Sequence, residues 1–195
     1  MSDILNASRA DALLTALAEQ LAAAGERYEL VVVGGSALLA LGLIDRPTRD
    51  VDVVALREAG VLTKAEPFPQ ALVAARDRVA RDFGLPEDWL NAGPADLIDF
   101  GLPAGFLDRV ETWTFGPALT VHFASRLDQI HFKLYALVDQ GAGKHGQDLR
   151  ALEPTRDELV QAARWSRTHD PSDGYRQMLE QALEYLGVHG ADLGA

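Results

Sequence analysis

Two aspartates, Asp50 and Asp52, lie inside an apolar stretch that reads DVDVVAL. Aspartate is depleted from strands because its short polar side chain prefers turns and helix caps. In a strand, residues two apart point to the same side and lie roughly 6–7 Å apart. The two carboxylates would therefore share one face while Val51 and Val53 anchor the other in a core. Paired carboxylates favour a bound cation, and their hard oxygen atoms suit Mg²⁺ or Mn²⁺.

A glycine-rich turn, Gly34–Gly35–Ser36, follows the apolar run Leu30–Val33 and precedes the aspartates. Glycine lets backbone N–H groups approach an anion closely, and a helix that begins there adds its free amides and its dipole. Alone, such a turn is more often only a turn, and an Asp-x-Asp pair is more often a surface feature. Together and in this order, they indicate a phosphate cradle beside a cation site, which is the chemistry of a nucleoside triphosphate site.

The composition is that of an ordinary globular protein. The chain has 195 residues, of which 48% are hydrophobic and 24% charged, which suits one domain or one domain with a small appendage. The net charge of −11 disfavours non-specific binding to nucleic acid. The absence of cysteine excludes disulfides and thiolate metal sites. Since no apolar run reaches the roughly 18 residues needed to cross a bilayer and no signal peptide is recognisable, we expect a cytoplasmic protein with no membrane partner.

Hydrophobic periodicity predicts an α/β (α+β) fold. The expected elements are a helix over Ala7–Ala24 capped by Ser8, a strand over Leu30–Val33, a short helix over Ala37–Leu43 capped by Ser36, a strand over Val51–Leu56, a helix from Pro69 to Gly84, a strand over Leu119–Phe123, a helix capped by Ser125, and two helices after Thr155. The segment from Leu85 to Gly116 receives no assignment, and the connection between the first two strands leaves parallel and antiparallel pairing open. We expect a small mixed sheet flanked by helices over residues 1–152 and a helical C-terminal segment, 153–195, packed on it.

The two motifs resemble the signature of the DNA polymerase β-like nucleotidyltransferase superfamily. Gly34–Gly35–Ser36 is followed after thirteen residues by Asp50-Val-Asp52, and the DRPTRD that leads into this pair is similar to the approach found in the bacterial toxin-like branch. That branch includes abortive-infection proteins and the nucleotidyltransferase toxins of toxin–antitoxin pairs. A looser match, KLYALVDQGAGKHGQDLRAL, is similar to the branch's later motif of a helical lysine followed by a basic, aspartate-containing stretch.

The resemblance implies a role for each residue of the first motif. Gly34, Gly35 and Ser36 would hold the triphosphate of ATP or another nucleoside triphosphate. Asp50 and Asp52 would coordinate Mg²⁺ or Mn²⁺ and so serve catalysis. The fold expected from the resemblance is the mixed sheet of a nucleotidyltransferase.

The second motif and the loop before the aspartates supply further candidates. By resemblance, Lys133 would contact phosphate and offset its developing charge, and Asp148 would act there as a base or orienting group. The alternative is a surface lysine with its ammonium in solvent and an aspartate that caps the next helix. Arg46 and Arg49 either contact the triphosphate or the acceptor, or are solvated loop charges.

One departure from the superfamily pattern leaves two hypotheses open. Many members carry a third carboxylate on a later strand, but the strand here reads LTVHF, and the acids nearest to it in sequence are Asp96, Asp99 and Glu111. The first hypothesis is a Mg²⁺-dependent nucleotidyltransferase that transfers a nucleoside monophosphate to an unknown acceptor (a tRNA, a protein or a small molecule), as the toxin of a pair with an antitoxin protein. The second is a catalytically weak or inactive nucleotide-binding module that regulates through a partner protein.

Overall fold

The computed structural model describes residues 5–141 and 143–194, and the chain forms two compact units that divide between Ala124 and Ser125. The predicted fold class is confirmed, since a six-stranded mixed sheet is flanked by helices and the C-terminal part is helical. The boundary predicted after Leu152 lies inside the second unit, between two of its helices, and stays a prediction.

The first unit contains the sheet. Its elements are α1 (Ala7–Ala24), β1 (Tyr28–Val33), α2 (Gly34–Ala40), β2 (Val51–Glu58), β3 (Val61–Lys64), α3 (Gln70–Phe83), β4 (Leu90–Asn91), α4 (Leu97–Phe100), α5 (Phe106–Arg109), β5 (Glu111–Phe115) and β6 (Leu119–Phe123). The strands lie in the order β3-β2-β1-β6-β5, and β4 pairs with the start of β2. β1 runs antiparallel to β2 and parallel to β6, which answers the question left open by the sequence.

A bulge in β2 changes which side chains share a face. Val31 pairs with Ala55 and Val32 with Val53, so Val54 is an extra residue on β2. A bulge shifts the alternation of side chains beyond it. Arg57 accordingly lies on the same face as Asp52, although five positions separate them in sequence.

The opposite face of the sheet carries the core. Helices α1 and α3 pack there, and their apolar residues form one buried cluster with those of the strands, including Leu13, Leu17, Leu21, Leu30, Val32, Val51, Val53, Leu72 and Val79. Trp89 is fully buried in this cluster. Val51 and Val53 therefore anchor β2 in the core, as expected for a strand whose Asp52 side chain lies on the opposite face.

The second unit is helical. It contains α6 (Arg126–Gln140), α7 (Gly143–Ala151), α8 (Arg156–Arg167) and α9 (Asp173–Tyr185). Ser125 caps α6 as predicted, and Thr155 and Glu158 form a reciprocal capping box at the start of α8. Among the helices of the described ranges, none is long and apolar enough to cross a bilayer.

Several predicted element bounds differ from the observed ones, and three of the differences concern the candidate residues or their helices. The N-cap of α1 is Asn6, whose side chain accepts the N–H of Arg9 at 2.8 Å, rather than Ser8. Helix α2 begins at Gly34, not at Ala37, so the glycines form its first turn and Ser36 is inside it. The low helix propensity of glycine makes such a start hard to recognise. Helix α7 begins at Gly143, so Asp148, which one interpretation of the sequence expects to cap that helix, lies inside it.

Candidate functional site

Asp52 is held on a strand that has neighbours on both sides. Its partner on β1 is Val33 and its partner on β4 is Asn91. Asp52 and Asp50 are both half-buried, whereas Val51 between them is 1% exposed. Asp52 thus lies on the face of β2 opposite the core, and Asp50 directly precedes the first residue of the strand.

The backbone at Gly34 lies directly against the carboxylate of Asp52. A Cβ atom added to Gly34 would collide with Asp52 Oδ2 and lie 3.3 Å from its Cγ. Gly34 also has φ of +78°, a conformation that residues with a side chain rarely adopt. Only glycine meets both conditions, so the turn and the carboxylate strand form one surface.

Gly35 makes a similar close approach to the loop that precedes β2. A Cβ atom on Gly35 would lie 2.8 Å from Thr48 Oγ1 and 3.6 Å from Arg46 Nη2. The guanidinium of Arg46 therefore lies beside the glycine turn, where it also donates to the Pro47 carbonyl at 3.3 Å. The Arg49 side chain is exposed.

The loop before β2 is tied to the start of α1. Leu5 and Thr48 exchange two backbone hydrogen bonds of 2.7 and 3.0 Å. The Thr48 hydroxyl also donates a long hydrogen bond of 3.4 Å to Asp50 Oδ1. These contacts fix the approach to the carboxylate pair.

Asn91 is a site residue that the sequence did not indicate. Its Nδ2 donates to Asp52 Oδ1 at 3.2 Å, and its Oδ1 accepts the N–H of Gly93 at 2.8 Å. Strand β4 is two residues long and lies in the Gly- and Pro-rich stretch that carries no periodic pattern. The only signal for it is the apolar pair Trp89-Leu90 before the asparagine.

The acids considered as a third carboxylate lie elsewhere. Asp96 and Asp99 accept hydrogen bonds from the ammonium of Lys64 at 2.5 and 2.7 Å. Both hydrogen bonds raise the pKa of Lys64, and the bond to Asp96 has the larger effect. Glu111 lies on β5, three strands away from β2, which is about 14 Å at ordinary strand spacing. The neighbour of Asp52 on β4 is thus an amide, Asn91, and not an acid.

The hydroxyl of Ser36 lies on the core side of the sheet. It is 3% exposed and has no hydrogen-bond partner among the described residues. It lines a cavity of about 70 Å³ together with Leu14, Val51 and Trp113. The Ser36 hydroxyl is therefore buried, and a contact of Ser36 with the triphosphate stays a prediction.

Lys133 and Asp148 meet within the second unit. Lys133 Nζ lies 2.7 Å from Asp148 Oδ2, and the side chains are 6% and 1% exposed. The alternative of a surface lysine is therefore wrong, and so is that of a helix-capping aspartate, because Asp148 lies inside α7. That the pair serves the site at Asp50 and Asp52 stays a prediction.

His122 of β6 belongs to a separate polar row. Its Nε2 lies 2.8 Å from Glu29 Oε2 and 3.5 Å from Arg57 Nη1, and its Nδ1 lies 2.8 Å from Thr112 Oγ1. The buried ring is thus hydrogen-bonded at both nitrogens to neighbouring strands.

The residues present fit one divalent cation better than two. Two half-buried carboxylates, Asp52 on β2 and Asp50 directly before it, would supply hard oxygen ligands, and phosphate and water would complete the shell. Within 5–141 and 143–194, no group of three or more histidine, aspartate or glutamate side chains is arranged to hold a metal ion. Asp50 and Asp52 would therefore share the cation with a phosphate ligand.

A family model described as "Nucleotidyltransferase of unknown function (DUF6036)" matches residues 12–142. The chain belongs to this nucleotidyltransferase family. The match begins in α1, includes every strand of the sheet and extends just beyond α6. It confirms the predicted membership of a nucleotidyltransferase family and does not bear on the toxin-like branch. Comparisons with curated proteins and with solved structures gave no match.

Proposed function

We propose that the protein transfers a nucleoside monophosphate from a nucleoside triphosphate to an acceptor nucleophile and releases pyrophosphate. The observation that carries this proposal is the contact between the Gly34 backbone and the Asp52 carboxylate. A phosphate lying on the glycine turn would be next to the carboxylate pair, where a cation can bridge them. Membership of a nucleotidyltransferase family supports the same reaction class.

Each residue of the site has a separate task. Gly34 lets the backbone of the turn lie against the Asp52 carboxylate, and Gly35 lets it lie against Thr48, so a phosphate bound by the backbone N–H groups of the turn would be beside the carboxylate. Arg46, whose guanidinium lies beside Gly35, donates to phosphate oxygens. Asp50 and Asp52 would hold Mg²⁺ or Mn²⁺, which when bound neutralises charge on the phosphates.

In the reaction, the acceptor oxygen or nitrogen forms a bond to the α-phosphorus. The bond between this phosphorus and the oxygen bridging to the β-phosphorus breaks, and pyrophosphate leaves with that electron pair. The acceptor proton passes to a base. The ion pair between Lys133 and Asp148 lies within the second unit, and a part for either residue in this reaction stays a prediction.

The acceptor is proposed by class. The net charge of −11 favours a protein side chain or a small molecule over a tRNA, because RNA binding depends on basic surface. The similarity of DRPTRD to the toxin-like branch supports a toxin whose activity an antitoxin protein would suppress.

The direct test is label transfer from α-³²P-labelled ATP, CTP, GTP and UTP, with pyrophosphate release measured in parallel. We expect Mg²⁺-dependent release with one nucleotide and with a cell extract as acceptor source. Asp52→Asn should abolish release, whereas Asp45→Asn should not, because Asp45 is an exposed acid in the preceding loop. If Asp52→Asn released pyrophosphate like the wild type, the site assignment would be wrong.

A second candidate is a nucleotide-binding module without turnover. The amide of Asn91 beside Asp52, where an acid would add a further metal ligand, favours it. Calorimetry distinguishes the two functions: magnesium-dependent nucleotide binding without any pyrophosphate release would support the regulatory module.

A further inference from the structure

We infer that Asn91 is a positioning residue that fixes the Asp52 carboxylate and restricts the site to a single divalent cation. This inference rests on the proposed function, because it concerns the cation that Asp50 and Asp52 would share with a nucleotide.

The backbone places Asn91 next to Asp52. Strands β4 and β2 run parallel, with Val51 paired to Leu90 and Asp52 to Asn91. The backbone N–H of Val51 donates to the Trp89 carbonyl at 2.7 Å, which secures this short pairing. The Asn91 side chain therefore emerges beside the carboxylate, and its Nδ2 donates to Asp52 Oδ1 at 3.2 Å.

The orientation of the amide follows from its other hydrogen bond. Asn91 Oδ1 accepts the N–H of Gly93 at 2.8 Å, so the amide nitrogen must face Asp52. The opposite orientation would place a carbonyl oxygen against a carboxylate and an N–H₂ group against an N–H, which leaves both contacts repulsive. A Cβ atom on Gly93 would lie 2.9 Å from Asn91 Oδ1, so glycine permits this approach.

Both oxygens of Asp52 have defined surroundings. Oδ1 receives the Asn91 amide, and Oδ2 lies against the backbone of Gly34. A carboxylate held on two sides has few alternative rotamers, so it loses little conformational entropy when it binds a cation. Partners of this kind orient metal ligands and are worth about 10–100-fold in metal affinity.

The charge of the side chain at residue 91 sets the number of cations that the site can bind. Asp50 and Asp52 together carry two negative charges, which balance one divalent ion. An amide adds no charge and donates a hydrogen bond, whereas a carboxylate at residue 91 would repel Asp52 until a further cation bound between them. The asparagine thus stabilises the carboxylate in the absence of metal and supplies no anionic ligand for a second ion.

The test is Mn²⁺ binding to the full chain, measured as the loss of the free-ion electron paramagnetic resonance signal without nucleotide. We expect one Mn²⁺ per wild-type chain. Asn91→Ala should bind it at least about tenfold more weakly. Asn91→Asp should bind a second Mn²⁺, and its melting temperature should rise more on Mn²⁺ addition than that of the wild type. Gln70→Glu, which adds the same charge at an exposed position in the first turn of α3, should behave like the wild type.

Three results would overturn the inference: two ions or none in the wild type, unchanged affinity in Asn91→Ala, or unchanged stoichiometry in Asn91→Asp. Should Asn91→Ala fail to fold, Asn91→Asp decides by its stoichiometry. Failure of the proposed function is a different outcome, because pyrophosphate release could be absent while the Mn²⁺ measurements follow the expected pattern.

Discussion

At the residue scale, substitution of Gly34 can distinguish the effect of backbone strain from the effect of a side chain that displaces Asp52. Gly34→Ala should lose nucleotide binding, because its Cβ would displace the Asp52 carboxylate. Gly42→Ala is the matched control: Gly42 has φ of +66° but open space around its Cβ position. Both variants should lose about 1–2 kcal/mol to the left-handed conformation. Calorimetric titration with Mg²⁺ and ATP should show loss of binding in Gly34→Ala alone, and equal affinity in both variants would contradict the assignment.

Removal of the buried Ser36 hydroxyl should increase stability, whereas the glycine substitutions should decrease it. An unpaired buried polar group costs about 1–3 kcal/mol, so Ser36→Ala should stabilise the protein by about 1 kcal/mol in urea unfolding. Since the hydroxyl lies on the core side, nucleotide affinity should be retained. A large loss of affinity would instead show that the hydroxyl itself contacts the triphosphate.

The Lys133–Asp148 pair should behave as a buried ion pair. Removing one partner leaves an uncompensated buried charge, so Lys133→Met should cost about 3–5 kcal/mol of unfolding free energy. The double variant Lys133→Met/Asp148→Leu should recover most of that loss. Urea titrations of the two single variants and the double variant test this, and additive losses would show that the pair is not coupled.

Residues that act through local sequence were recognisable, whereas those brought in by long-range pairing were not. Gly34 and Asp52 belong to two motifs separated by one loop, and their residue types violate the preferences of a strand. Asn91 breaks no local rule and reaches Asp52 through a pairing of 39 residues' separation. The burial of the Ser36 hydroxyl depends on the packing of α1 against the sheet, which no local sequence pattern specifies.

At the scale of elements, the stability contributed by the start of α8 should depend on pH. Arg126 donates to Glu158 at 2.7 Å, and this hydrogen bond, assisted by that of Thr155, lowers the pKa of Glu158 below its ordinary value of 4.5. A pKa that is lowered in the folded state contributes stability at pH values above the ordinary pKa of 4.5. This stability is lost as the pH falls through the folded-state pKa. Glu158→Gln, which can keep the capping box, should therefore cost about 1 kcal/mol at neutral pH. Thermal unfolding from pH 7 to pH 3 should show the wild type and variant converging in acid, and a constant difference would contradict this explanation.

Elements with a strong periodic pattern and an explicit cap were predicted at their observed bounds. Strand β6 and helix α6, with its Ser125 cap, are examples. Helix α7 was missed because it contains Gly143 and Gly146, and β4 because two residues carry no period. The edge strand β3 has a weak alternation, and only its pairing with β2 defines it.

At the scale of the whole molecule, the carboxylate pair should be dispensable for folding. In the double variant Asp50→Ala/Asp52→Ala, loss of the mutual repulsion should offset loss of the hydrogen bonds from Asn91 and Thr48, so the unfolding free energy of the metal-free protein should be about unchanged. Wild-type protein should gain about 2.7 kcal/mol at a ligand concentration of one hundred times Kd. Melting curves with and without Mg²⁺ and nucleotide measure both effects. An equal upward shift in the double variant would place the ligand elsewhere.

The extra residue at Val54 bears on how chains of this family are compared. Strand β2 consists of two blocks, one that contains Asp52 and one that contains Arg57, joined at a position where a residue was in effect inserted. A relative that lacks the insertion would carry the counterpart of Arg57 four positions after its aspartate and still keep it on the same face. A gapless alignment would then match Arg57 to a side chain that points the other way. The spacing between the two blocks is therefore free to vary by one residue, while the order of polar groups across the sheet stays the same.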